Sequence, residues 1–155
     1  MAHPPHAPVR PWHELWIDEV DAPADLAQRR RLAVADAVAH ARPATPDGCG
    51  ALGIRRYGPG CIALALRGRF DRGARDLLQA LSDEVPSLAR HELAIDLSGL
   101  ERCDGTLARA IGRLRIRCLA REARVELHDL PPALAAELGR PVDARGSMIR
   151  SPGEP

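Results

Sequence analysis

Lysine is absent from this chain, and all 22 of its basic residues are arginine. That bias, with abundant Ala, Gly and Pro, matches a GC-rich genome, so the arginine count alone carries little functional weight. Acidic residues number 21 and the formal net charge is +1, which gives no general pull toward nucleic acid or an anionic membrane. Aromatics are nearly absent: Trp12, Trp16, Tyr57 and Phe70 are the whole set. The core must therefore be built from Leu, Ile, Val and Ala. Long apolar runs are missing too. The longest, Cys61 to Leu66, falls far short of the roughly 20 residues that cross a bilayer. The N-terminus, with Pro4, Pro5, Pro8 and Pro11, offers no apolar stretch for a signal peptide, so a cytoplasmic location is expected. The four cysteines (Cys49, Cys61, Cys103, Cys118) form no CxxC pair and no zinc-like spacing. Cys61 and Cys118 fall on apolar strand and helix positions, where buried free thiols are expected. His3 and His6, flanked by prolines, make a poor metal site, and no metal or other cofactor is expected.

What remains divides into three stretches. Residues 1–50 read as an N-terminal extension. Met1 to Pro11 is expected to be disordered, and Trp12, Leu15, Trp16 and Val20 follow at helical spacing, with the tryptophans packing onto the domain or a dimer mate. Asp21 and Pro23 open a second helix carrying Leu26, Leu32, Ala33, Ala37 and Val38. Arg42 to Gly50 is dense in breakers and reads as a linker. Residues 51–139 form the patterned domain, and 140–155 read as a disordered tail.

Within the domain, Leu52 to Tyr57 reads as a strand and Gly58-Pro59-Gly60 as a turn. In Cys61 to Arg67 the large Ile62, Leu64 and Leu66 alternate with small Ala63 and Ala65. Two apolar faces predict a central strand covered on both sides. Asp71 caps a helix bearing Leu77, Leu78, Leu81 and Val85, which Pro86 helps to end. His91 to Leu97 is a second central strand. A helix over about Gly105–Arg121 sets Leu107, Ile111, Leu114 and Cys118 on one stripe. Ala123 to Leu130 is a strand, and Pro131-Pro132 opens a last short helix through Leu138. The order β-β-α-β-α-β-α predicts an α/β fold, with parallel neighbours joined by right-handed crossovers and the first hairpin at one side.

Two segments follow central strands at their carboxyl ends, where open α/β sheets present functional groups. One is Gly68-Arg69-Phe70-Asp71; the other runs Asp96-Leu97-Ser98-Gly99-Leu100-Glu101-Arg102-Cys103-Asp104-Gly105-Thr106-Leu107. Through them the chain resembles the STAS family, the fold of bacterial anti-sigma-factor antagonists. GRFD matches its G-x-[LF]-D segment and DLSGL its D-L-S-G-[LV]; Asp104 matches the Asp of its x-x-D-S-[ST]-G-L loop. The resemblance spans about Ile54 to Leu138 and implies a mixed four-stranded sheet with covering helices. It also implies a non-catalytic binder of a protein partner, an anti-sigma factor that is also a serine kinase, in the control of transcription by partner switching. In the family the Ser after the loop Asp is phosphorylated, and that phosphorylation ends the interaction.

Here that position is Gly105, which has no hydroxyl, and Thr106 is the remaining candidate for phosphorylation. The implied docking residues are Asp71, Asp104, Gly105, Thr106 and Arg109. STAS-like domains also serve as cytosolic accessory subunits of membrane transporters, including lipid-trafficking ABC permeases, and the missing acceptor Ser fits that alternative. Plainer roles stand beside these. Asp71 and Asp104 are each expected to act as N-caps, and Asp96 to be satisfied by Ser98. Arg109, Arg113, Arg117 and Arg121 recur every four residues, a pattern usually left to solvent. No nucleophile–base pair and no GxxxxGK[ST] or GxGxxG loop is present, so no enzymatic activity is expected.

Overall fold

Large and small apolar residues alternate strictly from Cys61 to Leu66, and that alternation decides which layer lies on which side of the sheet. The computed structural model describes residues 18–19 and 25–138. Its strands are β1 (Asp18–Glu19), β2 (Arg42–Pro43), β3 (Gly50–Gly58), β4 (Cys61–Phe70), β5 (Glu92–Cys103) and β6 (Arg124–His128). Its helices are α1 (Leu26–Ala39), α2 (Arg75–Leu88), α3 (Gly105–Ala120) and α4 (Pro132–Leu138), with a 3-10 turn at Arg72–Ala74. The sheet order is β1-β3-β4-β5-β6, with β2 pairing β3. β3 and β4 form an antiparallel hairpin, whereas β4–β5 and β5–β6 are parallel. From β3 onward the order is the expected β-β-α-β-α-β-α, and the two-residue strands β1 and β2 add to the four anticipated.

Ile62, Leu64 and Leu66 join Ile54, Leu93, Ile95 and Leu97 in one core. Leu78, Leu81 and Val85 of α2 and Leu107, Ile111 and Leu114 of α3 close it. The opposite face carries Cys61 and Ala63, which pack with Tyr57 against Ala33 of α1. Small residues let α1 lie very close there. A Cβ added at Gly53 would fall 1.8 Å from the Ala37 carbonyl oxygen. Each large side chain buried in the main core contributes about 1.5–3 kcal/mol, so most of the stabilisation lies on the α2/α3 side. α1 adds a tight polar clasp. Arg30 and the Tyr57 hydroxyl, the latter at 2.8 Å, both donate to the Glu92 carboxylate. Arg55 Nε donates to Asp36 Oδ2 at 2.6 Å, and Arg67 donates to the Val38 carbonyl at 3.2 Å.

Several elements depart from expectation. Asp25, whose Oδ1 accepts from Gln28 N at 2.8 Å, caps α1. Asp18–Glu19, inside the stretch expected to be helical, is a strand parallel to β3. Expectations for residues 1–17, 20–24 and 139–155 lie outside the described residues. The breaker-rich segment 42–50 holds β2 and a tight loop. There the Thr45 hydroxyl donates to Asp47 Oδ1 (2.7 Å) and accepts from Gly50 N (2.9 Å). Pro86 does not end its helix, because α2 runs on to Leu88. A proline removes one donor and leaves the carbonyl four residues earlier without its partner. That carbonyl is Ser82's, and Arg117 of α3 donates to it at 2.7 Å. β5 also continues six residues past Leu97, because β4 extends to Phe70 and offers Arg67–Phe70 as a ladder for Gly99–Cys103. β6 is shorter than expected, ending at His128. Among the described residues no helix is long and apolar enough to cross a membrane.

Candidate docking face

Pairing between β4 and β5 brings the two sequence segments together. Phe70 and Cys103 are Cα partners in the parallel ladder, so Asp71 and Asp104 leave adjacent strands side by side, about 4.8 Å apart in strand spacing. The two aspartates are local copies of one another. Asp71 (φ −121°, ψ −160°) accepts from Gly73 N at 2.9 Å. Asp104 (φ −126°, ψ −170°) accepts from Thr106 N at 2.8 Å. Each carboxylate thus satisfies a donor two residues on. Asp104 caps α3 as expected, a role worth about 1 kcal/mol, whereas Asp71 caps the 3-10 turn Arg72–Ala74, and α2 itself begins after Ala74 with no side-chain cap.

Gly68 lets this end of β4 bend. Its φ is +84°, and an added Cβ would meet the Cys49 carbonyl oxygen at 2.1 Å. Arg69 N donates to that carbonyl at 2.9 Å. The Arg69 guanidinium then spans Asp47 (3.1 Å) and Asp71 (3.3 Å). The backbone N–H of Cys49, the Thr45 hydroxyl and Arg69 together hold the Asp47 carboxyl well below its ordinary value. Asp96, by contrast, turns inward at 5% exposure. Its Oδ1 accepts from Ser98 Oγ (2.6 Å) and Ser98 N (3.1 Å), the local satisfaction anticipated for it.

Gly105 stands in open space, with no heavy atom within 4 Å of an added Cβ. Thr106 is half-buried and Arg109 exposed. Both line a cleft of about 380 Å³ between α2 and α3. The same cleft is lined by Arg72 and Arg75, two residues that carried no signal when the sequence was read alone. Their signal was the topology: successive right-handed crossovers lay α2 beside α3, so arginines near the start of each line one cleft. The arginine row on α3 is likewise not all solvent-facing. Arg113 donates to Gln79 Oε1 at 3.0 Å and Arg117 to Asp83 Oδ1 at 2.6 Å, tying α3 to α2.

All four cysteines are free, with Cys61 and Cys118 buried. Burial pushes the Cys118 thiol up to about 11, which keeps it protonated and unreactive. Among the described residues no group of three or more His, Cys, Asp or Glu could hold a metal ion.

Fold order, paired caps and the GRFD and DLSGL segments define an α/β domain of the STAS class. The chain belongs to the family described as Mlab, STAS domain, whose model matches residues 56–140. No curated protein matches it. Among solved structures it is similar to a crystal structure of Mglu, 28% identical over 51% of this chain and 19% of that one, with a TM-score of 0.41. A second, Mglu in its native form in the presence of 4.3 M NaCl, is 21% identical over 52% of this chain and 26% of that one, at a TM-score of 0.42. The chain spans about a fifth to a quarter of those proteins, and so loose a likeness says nothing about its role.

Proposed function

We propose that this chain is a non-catalytic, cytoplasmic protein-binding regulator of the anti-sigma-factor antagonist type. Its docking face is built from Asp71, Asp104, Gly105, Thr106 and Arg109. The observation that carries this reading is the side-by-side exit of Asp71 and Asp104 from paired strands, with Gly105 uncovered beside them. An uncovered glycine as the first residue of α3 leaves that helix start open to close approach.

The family's switch works by placing a phosphate at the position Gly105 occupies. With no hydroxyl there, partner release would fall to Thr106 or to another device. A phosphate on Thr106 would add nearly two negative charges at the cleft edge and alter the charge a partner meets. The lack of an acceptor at Gly105 also supports a second reading, a constitutive accessory subunit of a membrane transporter such as a lipid ABC permease.

Partner capture from the native host, read by mass spectrometry, tests the proposal. The open space at Gly105 makes Gly105→Trp a clean probe that leaves the fold intact. Gly105→Trp and Thr106→Glu are expected to lose the captured protein while Thr106→Val keeps it. Retention by both of the first two variants overturns the docking face. Recovery of an anti-sigma kinase supports the switching reading, and recovery of a permease with its ATP-binding subunit supports the second.

A further inference from the structure

The cleft between α2 and α3 has a one-sided charge that neither its capping aspartates nor its neighbours neutralise. Its walls are Arg72 and Arg75 on one side and Arg109 and Arg113 on the other; Leu78 and Ala110 contribute apolar surface, and Gln79, Ser82 and Thr106 add polar groups. No carboxylate lines it. The side chains of Arg72, Arg75 and Arg109 make no ion pair or hydrogen bond among the described residues, although this chain carries nearly as many acids as bases. Some arginines outside the cleft do meet an acid: Arg55 with Asp36, Arg69 with Asp47, Arg117 with Asp83. What sets the cleft apart is that four arginines line one concave place with no carboxylate among them.

The two walls are also held in position. Arg113 is fixed by Gln79 Oε1, and the Gln79 amide donates in turn to Asp83, 3.2 Å away. Both helices begin with their positive ends at this same edge, which adds to the field. Arg109 and Arg113 lie one turn apart, about 6 Å along the axis. That interval matches carboxylates four apart on a helix, or on alternate residues of an extended chain, at about 6.8 Å. Guanidinium forks pair with carboxylates in two-bond geometry, and such pairs fix register as well as sign. The same forks also grip phosphate, but a compact phosphate site is ordinarily completed by a nest of backbone N–H groups. The N–H groups of Gly73 and Thr106, at the two helix starts, are already taken by Asp71 and Asp104.

We infer that the cleft receives an acidic segment of the protein partner, with carboxylates repeating at about one helical turn; this rests on the docking role proposed above and names what docks. The full-length chain is titrated by fluorescence polarisation with a labelled alanine-based peptide carrying glutamate at every fourth position. Binding is expected to saturate, to weaken as salt rises, and to fall at least about tenfold with Arg75→Glu and with Arg109→Glu, because each reversal sets like charges together. Arg121→Glu, an exposed change at the far end of α3, is expected to leave it unchanged. Equal binding by all these proteins overturns the inference. Displacement of the peptide by inorganic tripolyphosphate that itself binds more tightly also overturns it and assigns the cleft to a small anion. The two proposals separate in the partner capture. If the Arg72→Glu/Arg75→Glu double variant, whose residues belong to the cleft alone, keeps the native partner while Gly105→Trp loses it, the cleft fails and the docking face stands. The reverse result sinks the docking face and leaves the cleft.

Discussion

At the residue scale, single atoms decide which substitutions this sheet tolerates. Gly53 and Gly105 are both glycines without positive φ, and they sit in opposite surroundings. At Gly105 a side chain projects into solvent. At Gly53 it would have to occupy the space of the α1 backbone. Gly53→Ala is therefore expected to cost about 3 kcal/mol, the upper range for overpacking, and to loosen α1 first. Urea unfolding gives the loss, and limited proteolysis should show earlier cleavage within Leu26–Ala39. Unchanged stability would mean that α1 lies farther from the sheet than the Ala37–Gly53 approach implies. Sequence reading found the small residues on β4 but not Gly53, because a glycine in a strand gives no sign of what approaches it.

At the element scale, the hairpin, both main crossover helices and the last helix were legible from apolar spacing, since one buried stripe per helix leaves few alternatives. The misses have local causes. Pro86 reads as a stop, and only the cross-helix bond from Arg117 to Ser82 shows how α2 continues past it. The strand expected to end at Leu97 runs on to Cys103 because β4 stays extended alongside. Arg75 and Arg109 become neighbours only through topology, which no linear spacing encodes. The Pro86 explanation can be checked by a double-mutant cycle. Arg117→Ala alone is expected to cost about 1–2 kcal/mol, since it strands the Ser82 carbonyl. In the Pro86→Ala background the new N–H at residue 86 can serve that carbonyl, so the same change should cost distinctly less. Equal costs in both backgrounds would detach Arg117 from the proline.

At the scale of the whole molecule, acid stability follows from carboxylates held ionised in the fold. Burial by itself would raise the Glu92 carboxyl, but the bonds from Arg30 and Tyr57 more than offset it and leave it below its ordinary value of 4.5. Asp83 is lowered by Arg117 and Gln79, and Asp47 by the Cys49 N–H, Thr45 and Arg69. A carboxyl depressed in the folded state contributes stability above its unfolded pKa, and that contribution is lost as pH falls through the folded value. Thermal midpoints should therefore hold steady above about pH 5 and drop progressively below it. Glu92→Gln should lower the midpoint at neutral pH, because it takes the counter-charge from the half-buried Arg30, and should flatten the acid decline. A decline as steep as the parent's would place the acid sensitivity elsewhere.

The side-by-side exit of Asp71 and Asp104 carries a mechanical corollary. Both walls of the arginine cleft are hung from neighbouring strands at one rung of their ladder, so its mouth is gauged by the repeat of the β-sheet itself. A visitor meets a slot of set width rather than a loop that must be gathered around it. Little ordering is then left to do on arrival, and recognition here should resemble a key meeting a cut lock more than a hand closing on a rope.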